Sequence, residues 1–168
     1  MPDLQPAPQI AIEPERASDS AEADAIVARA FGPGRYAKSS ERVREFATWL
    51  PELSFCAWLD GRLIGVVRLW RVRVGEAPVA FLGPLAVETG LRGAGYGLAL
   101  LERACAAAEA AGYAAVVLVG DEPYYARVGF SAAAGAGIVM PGPVDRRRVL
   151  ARPLGGAAAP LAGSVASA

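Results

Sequence analysis

The chain predicts a mixed α/β fold in which antiparallel hairpins come first and one βαβ crossover follows. Three observations carry this. Asp60-Gly61 sits between two apolar, β-branched runs, the signal of a two-residue hairpin. A third strand pattern runs into the glycine-dense stretch Gly93-Ala94-Gly95-Tyr96-Gly97, which opens into an alanine-rich helix. After that helix, Ala114–Val119 is continuously apolar, as a strand covered on both faces must be.

The elements follow in order. Residues 1–9 are proline-rich and expected to be disordered, and Ile10 to Glu13 read as a short edge strand. Asp19-Ser20-Ala21-Glu22 has the form of a capping box, with a helix to about Phe31 that buries Ile26, Val27, Ala30 and Phe31. Gly32-Pro33-Gly34 stops it. A second helix is predicted from Ser39 or Ser40, with Val43, Phe46, Ala47 and Leu50 on its apolar face and Pro51 after its end. Strands are predicted over 54–59, 62–74 and 79–87, with a bulge or an unpaired position at Gly83-Pro84 because Pro84 has no N–H to give a ladder. The helix after the glycine turn spans about 95–111, buries Leu98, Leu101, Ala104, Cys105 and Ala108, and ends on Gly112. Helical turns are expected over 124–128, a strand from Phe130 and a last strand over 148–154. Residues 155–168 read as a flexible or loosely packed tail.

Composition narrows the chemistry. The chain has 168 residues, enough for one domain with a core, and a formal net charge of +0, so no global attraction to nucleic acid exists. Absence of histidine removes Ser-His-Asp triads, Cys-His pairs and His-ligated zinc. Cys56 and Cys105 fit no metal spacing and read as small core residues, so no metal is expected. Arg146-Arg147-Arg148 is too short for a polybasic tail. No basic segment followed by an apolar run opens the chain, and no apolar stretch nears the ~20 residues that cross a bilayer. The expectation is a cytoplasmic protein with no membrane or nucleic-acid partner.

The glycine turn directs backbone N–H groups and the positive end of a helix dipole at one spot, the requirement for binding phosphate. It lacks the G-x-x-x-x-G-K-[ST] of a Walker loop. Its spacing also departs from G-x-G-x-x-G, since Leu98 stands where the last glycine would be. Arg92-Gly93-Ala94-Gly95-Tyr96-Gly97 instead has the form [RQ]-x-x-G-x-[GA]. Preceded by Leu85-Ala86-Val87, it resembles the acetyl-CoA signature of the GCN5-related N-acetyltransferases, the GNAT family. Tyr124-Tyr125-Ala126-Arg127-Val128-Gly129-Phe130 is similar to that family's F-Y-x-[KR]-x-G-F element, and the likeness is greatest to a bacterial branch of predicted acetyltransferases.

The resemblance covers about residues 10–154 and implies an acetyltransferase domain there. It implies a central, mostly antiparallel sheet of six to seven strands with helices on both faces and a V-shaped splay between strands 4 and 5. It implies acetyl-CoA as co-substrate, its diphosphate on the amides of Arg92, Gly93, Ala94, Gly95, Tyr96, Gly97 and Leu98. The pantetheine arm would pair with backbone of Leu85, Ala86 and Val87, with Leu85 facing the thioester oxygen. Tyr125 matches the family's general acid, and Tyr124 is a packing or cofactor contact. The base stays open among Asp121, Glu122, Glu88 and water. Leu118 stands where the family often has asparagine. The implied function is acetyl transfer to a primary amine of a small molecule or peptide. The alternatives are a non-catalytic CoA-binding module and a nucleotide-dependent oxidoreductase. Phe31, Tyr36, Phe46, Trp49 and Trp70 are candidate acceptor-site walls, and the hydrophobic C-terminal half is compatible with a homodimer.

Overall fold

The computed structural model describes residues 10–32, 39–156 and 160–168. The expected disorder of residues 1–9 and the candidate wall residue Tyr36 lie outside them, as do Pro33 and Gly34 of the expected helix stop. The sheet is organised around β4, Arg62–Val74. One edge of β4 is paired along its length with β5, Ala77–Val87. The other edge is shared in succession by β3 (Phe55–Leu59), β2 (Thr48–Trp49) and β9 (Gly163–Ser167), all antiparallel. β1, Ile10–Pro14, extends the sheet beyond β3. Beyond β5 lie β6 (Ala115–Val119), parallel to it, and β8 (Val149–Pro153), antiparallel to β6. β7, Ile138–Val139, pairs in parallel with β9. This is the expected layout of early hairpins and one parallel crossover.

Helices cover both faces. Asp60 (φ 50) and Gly61 (φ 79) both sit in the left-handed region that a two-residue hairpin turn requires. Within that hairpin, Ile64 is an extra residue set against the step from Ala57 to Trp58. One inserted residue reverses which side the following side chains face. Leu63 and Val66 therefore pack with Ala23, Ile26 and Val27 of α1 (Ser20–Phe31), and Ile64 and Val67 pack with Leu100, Leu101 and Ala104 of α3 (Tyr96–Ala110). α3 ends in a Schellman motif, as Gly112 predicts: Gly112 (φ 87) donates to Glu109 O, and Tyr113 N donates to Ala108 O.

Several expectations are corrected. The Asp19 carboxylate turns back to accept from Arg16 N at 3.0 Å and gives α1 no side-chain cap. Phe31 is 41% exposed. α2 covers only Ser39–Phe46, because Thr48 and Trp49 pair with Arg71 and Trp70, and Phe46 is left exposed. Leu98 is only partly buried, and Leu100 takes the core position. Phe130 starts no strand. Ser131 makes a single bridge to Ala151, then its hydroxyl accepts from Ala134 N (3.1 Å) and starts the short helix α5, Ala132–Gly135. The tail is not loose throughout, since Gly163–Ser167 forms β9 and buries Val165.

α5 lies hard against β8. A Cβ on Gly135 would stand 2.2 Å from the carbonyl oxygen of Val149. Because that obstacle is backbone, Gly135→Ala is expected to destabilise the fold by about 1–3 kcal/mol, the usual range for overpacking. Chemical denaturation of the two proteins measures it as a lower midpoint.

Candidate active site

β5 and β6 pair at only three positions, Val79 with Ala115, Ala80 with Val116 and Phe81 with Val117. Beyond them β5 stays with β4, while Leu118 and Val119 of β6 stay with Leu150 and Val149 of β8. The strands part there. On β5 the parting begins at a bulge, where Gly83 and Pro84, joined by a cis peptide, stand opposite the single residue Arg68. The Trp70 indole N–H donates to Gly83 O at 2.6 Å and fixes the bulge to β4.

Register decides which peptide groups face the gap. Glu88 N donates to Ile64 O at 2.8 Å, and Gly65 stands opposite Val87 and Val66 opposite Ala86. Hydrogen-bonded and non-bonded pairs alternate in an antiparallel ladder. Ala86 therefore bonds to Val66, and the N–H and C=O of Leu85 and Val87 point away from β4, into the gap. Of Leu85, Ala86 and Val87, it is Leu85 and Val87 whose peptide groups face the gap.

The glycine turn follows. Gly93 (φ 84) and Gly95 (φ 89) hold the left-handed backbone that wraps the chain into α3. Gly95 is the N-cap, and no side chain caps the helix. The first intrahelical bond runs from Ala99 N to Gly95 O, so the amides of Tyr96, Gly97 and Leu98 project from the helix end in the manner that suits an oxyanion. Arg92 and Ala94 are exposed beside them.

The two tyrosines are placed by contacts with glycine. Both lie on α4, Glu122–Tyr125, which follows β6. A Cβ on Gly97 would sit 2.6 Å from the Tyr124 hydroxyl oxygen, and one on Gly120 would sit 2.3 Å from the Tyr125 ring. Tyr125 stacks edge-on against Tyr124 (4.9 Å between centroids) and Phe130 (6.1 Å). Burial, with the neighbouring Tyr124 and Asp121, pushes the Tyr125 phenol up to about 12. Tyr125 lines a cavity of about 840 Å³ together with Leu82, Gly83, Pro84 and Leu85 of β5 and Leu118 of β6. The mouth of the parted strands is thus walled by the exposed edge of β5 on one side and a neutral phenol on the other.

Residues 23–130 match the model of the acetyltransferase (GNAT) family. The chain belongs to that family. A solved GNAT family N-acetyltransferase (YhbS) from Escherichia coli, in complex with CoA, is 29% identical to it, with a TM-score of 0.77 over 96% of this chain and 91% of that one. A GNAT family acetyltransferase from Brucella melitensis, in complex with acetyl-CoA, is 28% identical, with a TM-score of 0.69 over 94% and 95%. The N-acetylglutamate synthase of Neisseria gonorrhoeae, complexed with coenzyme A and N-acetyl-glutamate, shares the fold at 20% identity and a TM-score of 0.57, over 88% of this chain and 35% of that one. No protein of curated function matches.

In this GNAT chain the three candidate carboxylates have different surroundings. Glu88 pairs with Arg29 of α1 and ties the glycine turn to that helix. Glu122 accepts from Ala132 N and caps α5. Asp121 lines the cavity, with Arg148 Nε at 3.4 Å. Of the wall candidates, Phe31 and Trp70 line the cavity, whereas Trp49 donates its indole N–H to Ser54 Oγ (3.0 Å) and lies elsewhere. Phe46 is likewise outside the cavity lining. Leu118 is buried in the core.

Sequence reading missed two arginines of the GNAT cavity. Arg68 holds Glu15 through Nε (3.0 Å) and Nη2 (2.8 Å), and Asp24 through Nη1 (2.7 Å). Burial works against its charge, but the hydrogen bonds to Glu15 and Asp24 prevail and raise its pKa. A charge inside the apolar run Leu63–Trp70 was the available signal, since such a residue needs buried partners. Arg44, on α2, pairs with Glu41 one turn earlier. Burial raises the thiols of Cys56 and Cys105, to about 12 and about 11, which keeps both protonated and unreactive. Among the described residues no group of three or more metal-ligating side chains occurs, and no helix is long and apolar enough to cross a membrane.

Proposed function

We propose that this GNAT enzyme transfers the acetyl group of acetyl-CoA to a primary amine of a small molecule or peptide by direct attack on the thioester. The observation that carries the reading is the parting of β5 from β6, with the peptide groups of Leu85 and Val87 turned into the gap and Tyr125 lining the cavity beside Leu85. When bound, acetyl-CoA supplies an activated acyl group. The amides of residues 92–98 hold its diphosphate at the uncapped end of α3, and Val87 and Leu85 pair with its extended arm as a strand edge pairs with a peptide.

The Leu85 N–H faces the thioester oxygen, where negative charge grows as the amine attacks, and a fixed backbone dipole there lowers the barrier. Tyr125 keeps its proton at neutral pH and gives it to the departing sulfur. The amine must lose a proton to attack. Asp121 lines the cavity between β6 and the helix that carries Tyr125, so we assign it the relay of that proton through water.

Isothermal titration with acetyl-CoA tests the cradle. Wild-type protein is expected to bind, and Gly95→Val to bind about 5- to 30-fold more weakly, because holding a β-branched residue at φ 89 in the binding form of the turn costs about 1–2 kcal/mol. Thiol release from acetyl-CoA with a panel of primary amines tests the transfer. Absence of both heat and thiol release with folded wild-type protein overturns the proposal.

A further inference from the structure

We propose that the acceptor amine also carries a carboxylate, and that Arg44 binds it; this deepens the amine-acetylation reading above and rests on it. Among the described residues three cations line the cavity, Arg44, Arg68 and Arg148. Arg68 has given Nε, Nη1 and Nη2 to Glu15 and Asp24. Arg148 is half-exposed and shares one contact with Asp121. Arg44 differs from both. Its side chain is only 13% exposed, and among the described residues its carboxylate partner is Glu41, met through Nη2.

A guanidinium has five N–H donors. Among the described residues Glu41 takes one nitrogen of Arg44, Nη2, and the Arg44 side chain lines the cavity. Their place is defined: a Cβ on Gly83 would stand 3.0 Å from Arg44 Nη1. The guanidinium therefore lies over the β5 bulge, two residues from the Leu85 amide. A guanidinium–carboxylate bond is about 2.8 Å long, and a single carbon separates carboxylate from amine in an α-amino acid. Bound this way, the amine lies beside the β5 bulge in the cavity that Leu85 and Tyr125 both line.

The remaining walls fit the same ligand. Of the other carboxylates in the lining, Asp24 and Asp121 each face their own arginine, Arg68 and Arg148, Asp145 faces Arg147, and Glu45 follows Arg44 on α2. Val27, Phe31, Trp70 and Val144 supply an apolar lining for the acceptor's body. The acceptor class is thus an apolar α-amino acid rather than a plain alkylamine.

The test uses apolar L-amino acids, each beside its primary amide and its decarboxylated amine. Turnover is followed by thiol release, and binding by titration into the CoA-saturated enzyme. Wild type is expected to favour the carboxylate-bearing member by at least about ten-fold, as loss of a charge-assisted bond implies. Arg44→Gln should reduce that preference to within about two-fold, and Glu41→Gln, which releases the guanidinium, should retain it. Equal handling of the three by wild type, in turnover and in binding, overturns the proposal, as does a preference that survives Arg44→Gln. CoA titration of the same samples separates the two levels. CoA binding without carboxylate preference sinks this inference alone, whereas failure to bind CoA sinks the reading beneath it.

Discussion

Tyr125→Phe is expected to lower kcat by about 10²–10⁴-fold, the range for removal of a positioned general acid, while CoA affinity stays near wild type. The ring makes the contacts, with Gly120, Tyr124 and Phe130, and phenylalanine keeps them. Only the proton on the hydroxyl is lost. The pH profile follows from the same group. Burial, then Tyr124 and Asp121, raise the phenol to about 12, so its neutral form persists well above the ordinary value of 10.0. The wild-type rate should climb as the acceptor amine loses its proton and should show no fall from phenol ionisation below pH ~10. Steady-state kinetics of both proteins from pH 6 to ~10 decide this. A Phe variant with wild-type kcat removes Tyr125 from the chemistry.

Gly120→Ala is expected to lower kcat by about 10²-fold with little change in the CoA dissociation constant. The new methyl group would meet the Tyr125 ring at 2.3 and 2.9 Å. The ring cannot retreat freely, because Tyr124 and Phe130 stand edge-on against it. The hydroxyl must therefore move relative to the β5 edge, and a displacement of about 1 Å at a reacting group costs this much. The glycine turn lies on a different element, so CoA titration serves as the control. Equal kcat for Gly120→Ala and wild type would show that the phenol's position is not critical.

Local chemistry made much of the fold legible. Asp60-Gly61, Gly112 and the glycines at 93 and 95 each set the conformation of their own backbone, and the structure keeps all of them where the sequence puts them. The elements that went astray did so for two different reasons. Thr48 and Trp49 leave the helical pattern because Arg71 and Trp70 offer them a ladder, and Phe130 loses its strand because the next residue is a capping serine. At the site, the two motifs fixed the turn and the tyrosines. They could not say which of Leu85, Ala86 and Val87 face the gap, because alternation is set by the register with β4. The partner of Arg68 was unreadable for the same reason: Glu15, which it holds, lies 53 positions away.

β9 gives the least distinctive part of the sequence a protective task. Val165, Ala166 and Ser167 cover Val74, Arg73 and Val72 along a margin of β4 that β2 and β3 do not reach. Stripped of that cover, the margin would present a row of unspent amides and carbonyls, an invitation for another molecule to zip on strand to strand. A few small residues thereby guard the protein's solubility at a distance from its chemistry.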